Sequence, residues 1–380
     1  MQVQKLSHEI DIKRYLQDLG VDGGGISILA SKSKHHILYI KDLHVGAANI
    51  LKQDALSIGA DLAVPRGTVI AAVPKVDCIL IATQKELEHL AKKELAQPFG
   101  LKEIAQEFKA IAKQKTNYKM RVMGIINAND DSFFSGSRFV SNEAIVKIEQ
   151  MIADGAEIID IGGVSSRPGA DKISAKEELS RVEPIYKLIK EQELYKKAIF
   201  SCDSYEPSVI QKALESGFTM VNDITGLEND EVAQLCAKYK ASVVIMHMQG
   251  TPQTMQTNPS YRDVIIEVYE YLEQQVQKAK DFGIEEIFID VGIGFGKTLE
   301  DNLLLIKHLE HFKRLGCEIL VGVSRKSMID KISPSTVEER LSGTLTIHLE
   351  ALRNGASVVR VHDVPEHIQA IKVQEALRRV

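Results

Sequence analysis

Seven hydrophobic runs in this chain each end in a polar group able to meet a ligand. They are Gly124-Ile-Ile-Asn127, Ile159-Asp-Ile-Gly-Gly163, Phe200-Ser-Cys-Asp203, Met220-Val-Asn-Asp223, Ile289-Asp290, Gly322-Val-Ser-Arg-Lys326 and Val359-Arg-Val-His362. Most stretches between them read as amphipathic helices; Leu303, Leu304, Ile306 and Leu309, for instance, share one apolar face. Strand, polar tip and helix in alternation is the pattern of a (β/α)8 TIM barrel whose active site is built from strand ends. Strands are expected at 121–127, 157–162, 198–203, 220–224, 242–247, 287–290, 318–323 and 357–362. Helices are expected at 142–154, 176–191, 206–216, 261–281, 299–313 and 335–353.

A barrel takes about 250 residues, and the chain has 380. The surplus lies at the front. Residues 1–115 read as a small α/β N-terminal domain, and residues 116–380 as the barrel. In the first domain, helices are expected near 10–19 and at 46–58, 84–96 and 101–114. Strands are expected near 26–30, 36–40, 62–64, 68–72 and 78–83, with Gly23-Gly-Gly25 as a flexible turn.

The net charge of −5 and the lack of a basic block argue against nucleic acid as a partner. No apolar run reaches the roughly 18 residues of a membrane span, and Met1-Gln-Val-Gln-Lys5 lacks the apolar core of a signal peptide. Cys78, Cys202, Cys236 and Cys317 are scattered without metal-ligand spacing, which fits a reducing cytoplasm.

Two sets of residues carry the chemistry. Asp203, Asn222, Asp290 and Lys326 stand at four different strand ends. Two carboxylates, an amide and an ammonium around one cavity suit a flat heterocycle with an amidine-like edge, because a carboxylate accepts two N–H bonds from such an edge. Taken singly, each reads as a cap or a surface ion pair; together they read as a site. Arg167, Arg360, His362 and Asn127 form the second set and point to an anionic substrate, most naturally a phosphate. Asn127 is a weak ligand that suits Mg2+, which keeps waters and binds substrate phosphates. Gly292-Ile-Gly-Phe-Gly-Lys-Thr298 fails both nucleotide-loop spacings and reads as a tight turn that brings backbone close to a ligand. His247 reads as a structural histidine under the pocket, and Met248 as a soft pocket wall.

In this order the segments resemble the dihydropteroate synthase family over residues 118–380. The matching pieces are Met123-Gly-Ile-Ile-Asn127 with Asp131-Ser-Phe133, Asp160-Ile-Gly-Gly163 with Ser166-Arg-Pro-Gly169, and Cys202-Asp203. Asn222-Asp-Ile224, Met246-His-Met-Gln-Gly-Thr-Pro252, Asp290 with Gly292-Ile-Gly-Phe-Gly-Lys297, Ser324-Arg-Lys326 and Arg360-Val-His-Asp363 complete the set. The resemblance implies condensation of 4-aminobenzoate with (7,8-dihydropterin-6-yl)methyl diphosphate. It also implies a pterin site of Asp203, Asn222, Asp290 and Lys326, with Asp160 and Met248 as further substrate contacts. Asn127 on Mg2+, Arg360 and His362 would take the diphosphate, and these three with Asp203, Asp290 and Lys326 would form the catalytic group. Ser166 and Arg167 would ride on a mobile loop, with Ser324, Phe295 and Phe133 beside the aminobenzoate. The family further implies a homodimer. Departures lie in the loops: Asn127-Ala-Asn-Asp-Asp-Ser-Phe133 lacks the usual proline, and Val164 and Val291 stand where glutamate and proline are common. A pterin-binding methyltransferase domain of a corrinoid system is the competing reading, with no need of a diphosphate site. A pterin-binding regulator without catalysis is a third.

Overall fold

The computed structural model describes residues 3, 4, 6, 10–113, 118–128, 138–164 and 173–379. The chain divides into two compact units, Met1–Lys115 and Thr116–Val380.

The first unit runs α1 (Ile12–Asp18), α2 (Gly23–Ser33), β1 (His35–His44), α3 (Val45–Ile58), β2 (Asp61–Ala63), β3 (Lys75–Thr83), α4 (Gln84–Lys93) and α5 (Leu101–Lys113). Its antiparallel sheet has the order β1-β3-β2. Along β3, Val76, Cys78, Leu80 and Ala82 alternate inward and share one core with Leu51 and Ala55 of α3 and Leu87 and Leu90 of α4. Two expectations fail here. Residues 26–30 are helical, because Asp22 caps α2 by accepting from the Gly24 N–H at 3.0 Å, so the three glycines form its first turn. Residues 68–72 turn back on themselves: the Thr68 hydroxyl donates to the Pro65 carbonyl at 2.7 Å, leaving Val69 and Ile70 exposed.

The second unit is a closed barrel of eight parallel strands: β4 (Arg121–Asn127), β5 (Ile158–Gly162), β6 (Ile199–Asp203), β7 (Met220–Asp223), β8 (Ser242–Met246), β9 (Ile287–Asp290), β10 (Glu318–Val321) and β11 (Val358–Val361). Each strand pairs with its successor, and β11 closes on β4. Met123, Ile158, Met220, Val244, Phe288, Leu320 and Val358, with Ile199 packed against them, give one residue per strand to a separate core cluster. Such a layer plugs the barrel, so it is a core and not a pore. Around it lie α6 (Arg138–Ala153), α7 (Ala175–Glu191), α8 (Pro207–Glu215), α9 (Asp230–Tyr239), α10 (Val264–Asp281), α11 (Leu299–Lys307), α12 (Ser327–Ile332), α13 (Leu341–Arg353) and α14 (Val364–Arg379).

The expected helix at 299–313 breaks after Lys307 into a 3-10 stretch, Leu309–Leu315, and α13 starts later than expected, after a 3-10 turn at Glu338–Arg340. Among the described residues no helix is long and apolar enough to cross a membrane.

Candidate active site

Parallel strands in a closed barrel release their C-terminal ends on one face, so residues at these ends converge. That face collects Asn127, Asp160, Asp203, Asn222, Met246, His247, Asp290, Ser324, Lys326, Arg360 and His362 from all eight strands or the turns that follow them. Ser166, Arg167 and Phe133 lie outside the described residues.

The two residue sets separated in the sequence are one network in the structure. Arg360 donates from Nε to Asp160 Oδ2 and from Nη2 to Asp203 Oδ2, both at 2.6 Å. Asn222 Nδ2 donates to the same Asp160 oxygen at 3.1 Å. Asp160 is fully buried, and its Oδ1 is without a partner among the described residues. Burial would lower the Arg360 pKa, but the two carboxylates beside it hold it above the ordinary range. Burial drives Asp203 upward, with Arg360 opposing and Asp160 adding to the rise. Gly162 lies under the Asp203 side chain, and a Cβ there would come 3.2 Å from the carboxylate.

Asp290 is raised by burial while accepting from the Gly292 N–H at 2.8 Å. Lys326 donates to the Ile293 carbonyl and stands 4.4 Å from the centre of the Phe295 ring. Burial lowers its pKa to about 8, with Asp290 working against the fall. Phe295 packs with Ile224, Met246, Met255, Tyr205 and Met248, giving a soft apolar wall next to the charged groups. The Ser324 hydroxyl and His362 Nδ1 lie 2.9 Å apart, and burial with the nearby Arg360 lowers the His362 ring to about 4. His362 is therefore neutral at physiological pH.

His247, expected from the sequence as a structural histidine, is one of a buried pair. It is buried against Lys297, whose Nζ sits 2.9 Å from His247 Nδ1 and donates to the Phe295 carbonyl at 3.0 Å. Burial takes Lys297 down to about 7, and burial together with Lys297 takes His247 down to about 3. Gly292 and Gly296 have φ of 70° and 65°, and a Cβ on either would run into the carbonyl of His247 or Gln249. The glycine-rich segment is thus a backbone-to-backbone seam between the loops after β8 and β9, and not a phosphate loop.

Sequence reasoning missed Glu178, a buried carboxyl pushed up to about 7 mainly by burial, with Asp203 among the charges that raise it further. The signal was present: Glu178 shares the apolar face of α7 with Val182, Ile185 and Ile189.

A barrel with this constellation at its strand ends defines a class. Residues 123–362 match the profile of the pterin binding enzymes, and the chain belongs to that family. It is 40% identical over 366 residues to the bifunctional dihydropteroate synthase/dihydropteroate reductase of Helicobacter pylori, a match covering 96% of each chain. Among solved structures it is similar to the Yersinia pestis dihydropteroate synthase in a sulfonamide drug complex, at TM-score 0.65 and 34% identity over 69% of this chain and 95% of that one. The Xanthomonas albilineans dihydropteroate synthase with 4-aminobenzoic acid is similar at TM-score 0.63 and 35% identity, over 69% of this chain and 94% of that one.

Proposed function

We propose that this chain is a dihydropteroate synthase, a transferase that joins 4-aminobenzoate to (7,8-dihydropterin-6-yl)methyl diphosphate with release of diphosphate. The observation that carries the reading is the Asp160–Arg360–Asp203 network beside Asn222, Asp290 and Lys326. It offers carboxylates and an amide to a pterin edge and a guanidinium to an anion. Named relatives with the same barrel favour it over a corrinoid methyltransferase.

In this reading Asp203, Asn222 and Asp290 accept and donate along the pterin edge, and Lys326 donates to a ring acceptor. The bond from the pterin methylene carbon to the diphosphate oxygen breaks. The carbon–nitrogen bond to the aryl amine forms, and the amine proton leaves to solvent. Positive charge grows on the methylene carbon, where the buried carboxylates of Asp203 and Asp290 would stabilise it; Arg360 and neutral His362 meet the leaving group. Catalysis is then electrostatic preorganisation and positioning, with no strong base required. The donor set fits Mg2+. Asn127 offers one amide oxygen to an ion that keeps most of its waters and takes its other oxygens from substrate phosphates. When bound, Mg2+ would offset charge on the diphosphate.

The test is diphosphate release from the purified chain, with the pterin diphosphate, Mg2+ or 4-aminobenzoate omitted in turn. Release is expected only with all three, together with formation of dihydropteroate. Pterin binding without release would support methyl transfer or a regulatory role instead.

The match to the Helicobacter pylori relative runs through the N-terminal unit, because it covers 96% of this chain. That supports a second activity here, reduction of dihydropteroate. A hydride and a proton added across a pterin C=N bond would give the tetrahydro product, with a reduced nicotinamide or flavin as donor. Loss of dihydropteroate absorbance with either donor is the expected result; a flat trace with both would sink this activity and leave the synthase reading intact. The four free, buried cysteines support a cytoplasmic location, and the resemblance supports a homodimer.

A further inference from the structure

Two buried histidines outside the site join the strand ends that form it. Val323, at the start of the turn carrying Ser324 and Lys326, donates its N–H to His348 Nε2 at 3.1 Å. His348 Nδ1 lies 2.9 Å from His367 Nε2, and His367 Nδ1 lies 2.6 Å from the Asp363 carbonyl. His348 is on α13, His367 on α14, and they are 1% and 2% exposed.

The ends of this chain of bonds dictate every proton in it. A backbone N–H only donates, so His348 Nε2 is bare and its proton is on Nδ1. That proton goes to His367 Nε2, so the second proton is on His367 Nδ1. A carbonyl only accepts, so the chain closes with every partner satisfied and both rings neutral. A proton added to either ring would set two donors face to face. Burial first, and the neighbouring ring with Lys326 next, lowers the pKa of His348. Burial also lowers His367, against Asp363 and Glu366.

What the relay spans is a turn that needs holding. Arg325, at its centre, has a φ of 56°, a left-handed conformation costly for a non-glycine residue. Arg325 forks onto Asp363 at 2.7 and 3.0 Å, and its N–H donates to Thr344 on α13 at 2.9 Å. We propose that His348 and His367 are positioning residues of the synthase reaction: through Val323 and Asp363 they hold the Ser324–Lys326 turn in register with Arg360 and His362. This rests on the synthase reading of the site.

The test pairs kinetics with ring nitrogen shifts on the full-length protein. His348→Leu leaves the Val323 N–H without an acceptor, whereas His348→Gln returns an oxygen near the Nε2 position. The leucine variant is expected to lose roughly tenfold in kcat/KM for the pterin diphosphate, the scale of one unsatisfied buried donor. The loss should appear at temperatures where its circular dichroism matches wild type. The glutamine variant should recover most of it. In the wild-type protein both rings should show the Nδ1–H tautomer by 15N shifts. Wild-type kinetics in the leucine variant, failure of glutamine to rescue a loss, or a protonated Nε2 on either ring would overturn the proposal. Absence of diphosphate release by the wild-type chain would instead overturn the synthase reading and the positioning role with it, while the ring shifts still judge the relay.

Discussion

Replacing Arg360 with alanine is expected to cut turnover of the pterin diphosphate by roughly a hundredfold or more, the usual effect of losing one donor to a developing anion in an enclosed site. Affinity for a free pterin, which lacks the diphosphate, should fall less. The structure adds a stability effect. Arg360 holds two carboxylates at 2.6 Å, one of them fully buried. Removing one partner of such a network costs about 3–5 kcal/mol, less whatever a carboxylate recovers by taking up a proton. Asp203, already raised by burial, would then lose the charge that opposes the rise. The deficit should therefore be largest at neutral pH and shrink as pH falls through the raised range. Arg360→Lys should restore part of the stability but little turnover, since an ammonium cannot fork onto two carboxylates and still reach a phosphate. Melting curves against pH, beside kcat and pterin affinity, check both halves. Equal losses of pterin affinity and turnover would reduce Arg360 to a support for Asp203.

Lys326→Ala should weaken the pterin diphosphate by about 1.5–3 kcal/mol, the scale of a hydrogen bond from a charged donor. The lysine is charged only below about 8, because burial lowers its pKa. Wild-type affinity should therefore fall as pH rises through about 8, and the variant should lack that limb. Stability should move the other way. A lysine whose folded pKa is depressed is a burden wherever it is charged, so at pH 7 the variant should melt at the wild-type temperature or above it. Isothermal titration at several pH values, with melting at pH 7, separates these effects. A wild-type Michaelis constant in the variant would remove Lys326 from the pterin site.

The barrel was legible because its strands are short apolar runs with polar tips, and a closed parallel barrel makes those tips neighbours whatever their separation in sequence. The same logic picked out Asp203, Asn222, Asp290, Lys326 and Arg360, which the barrel brings to one face. It did not find the ion pair from Arg360 to Asp160, 200 residues away, since strand-end position carries no partner information. It split the network into a pterin set and an anion set for that reason. α2 was misread because Ile26-Ser-Ile-Leu-Ala30 alternates like a strand, and the Asp22 cap outweighs that pattern. The histidine relay left a trace, with His348 among Thr344, Ala351 and Leu352 on the buried side of α13. A polar residue on an apolar face announces a buried partner without naming it.

The seam between the loops after β8 and β9 also limits how this pocket can change over generations. A side chain at Gly292 or Gly296 would collide with main chain, which cannot rotate aside as a flexible side chain would. Substitution at these two positions is therefore a closed route. Variation in this pocket is channelled instead into the rings and hydroxyls borne by that backbone. Phe295, flanked by Gly294 and Gly296, is one such ring, free to be exchanged while the glycines of the seam stay.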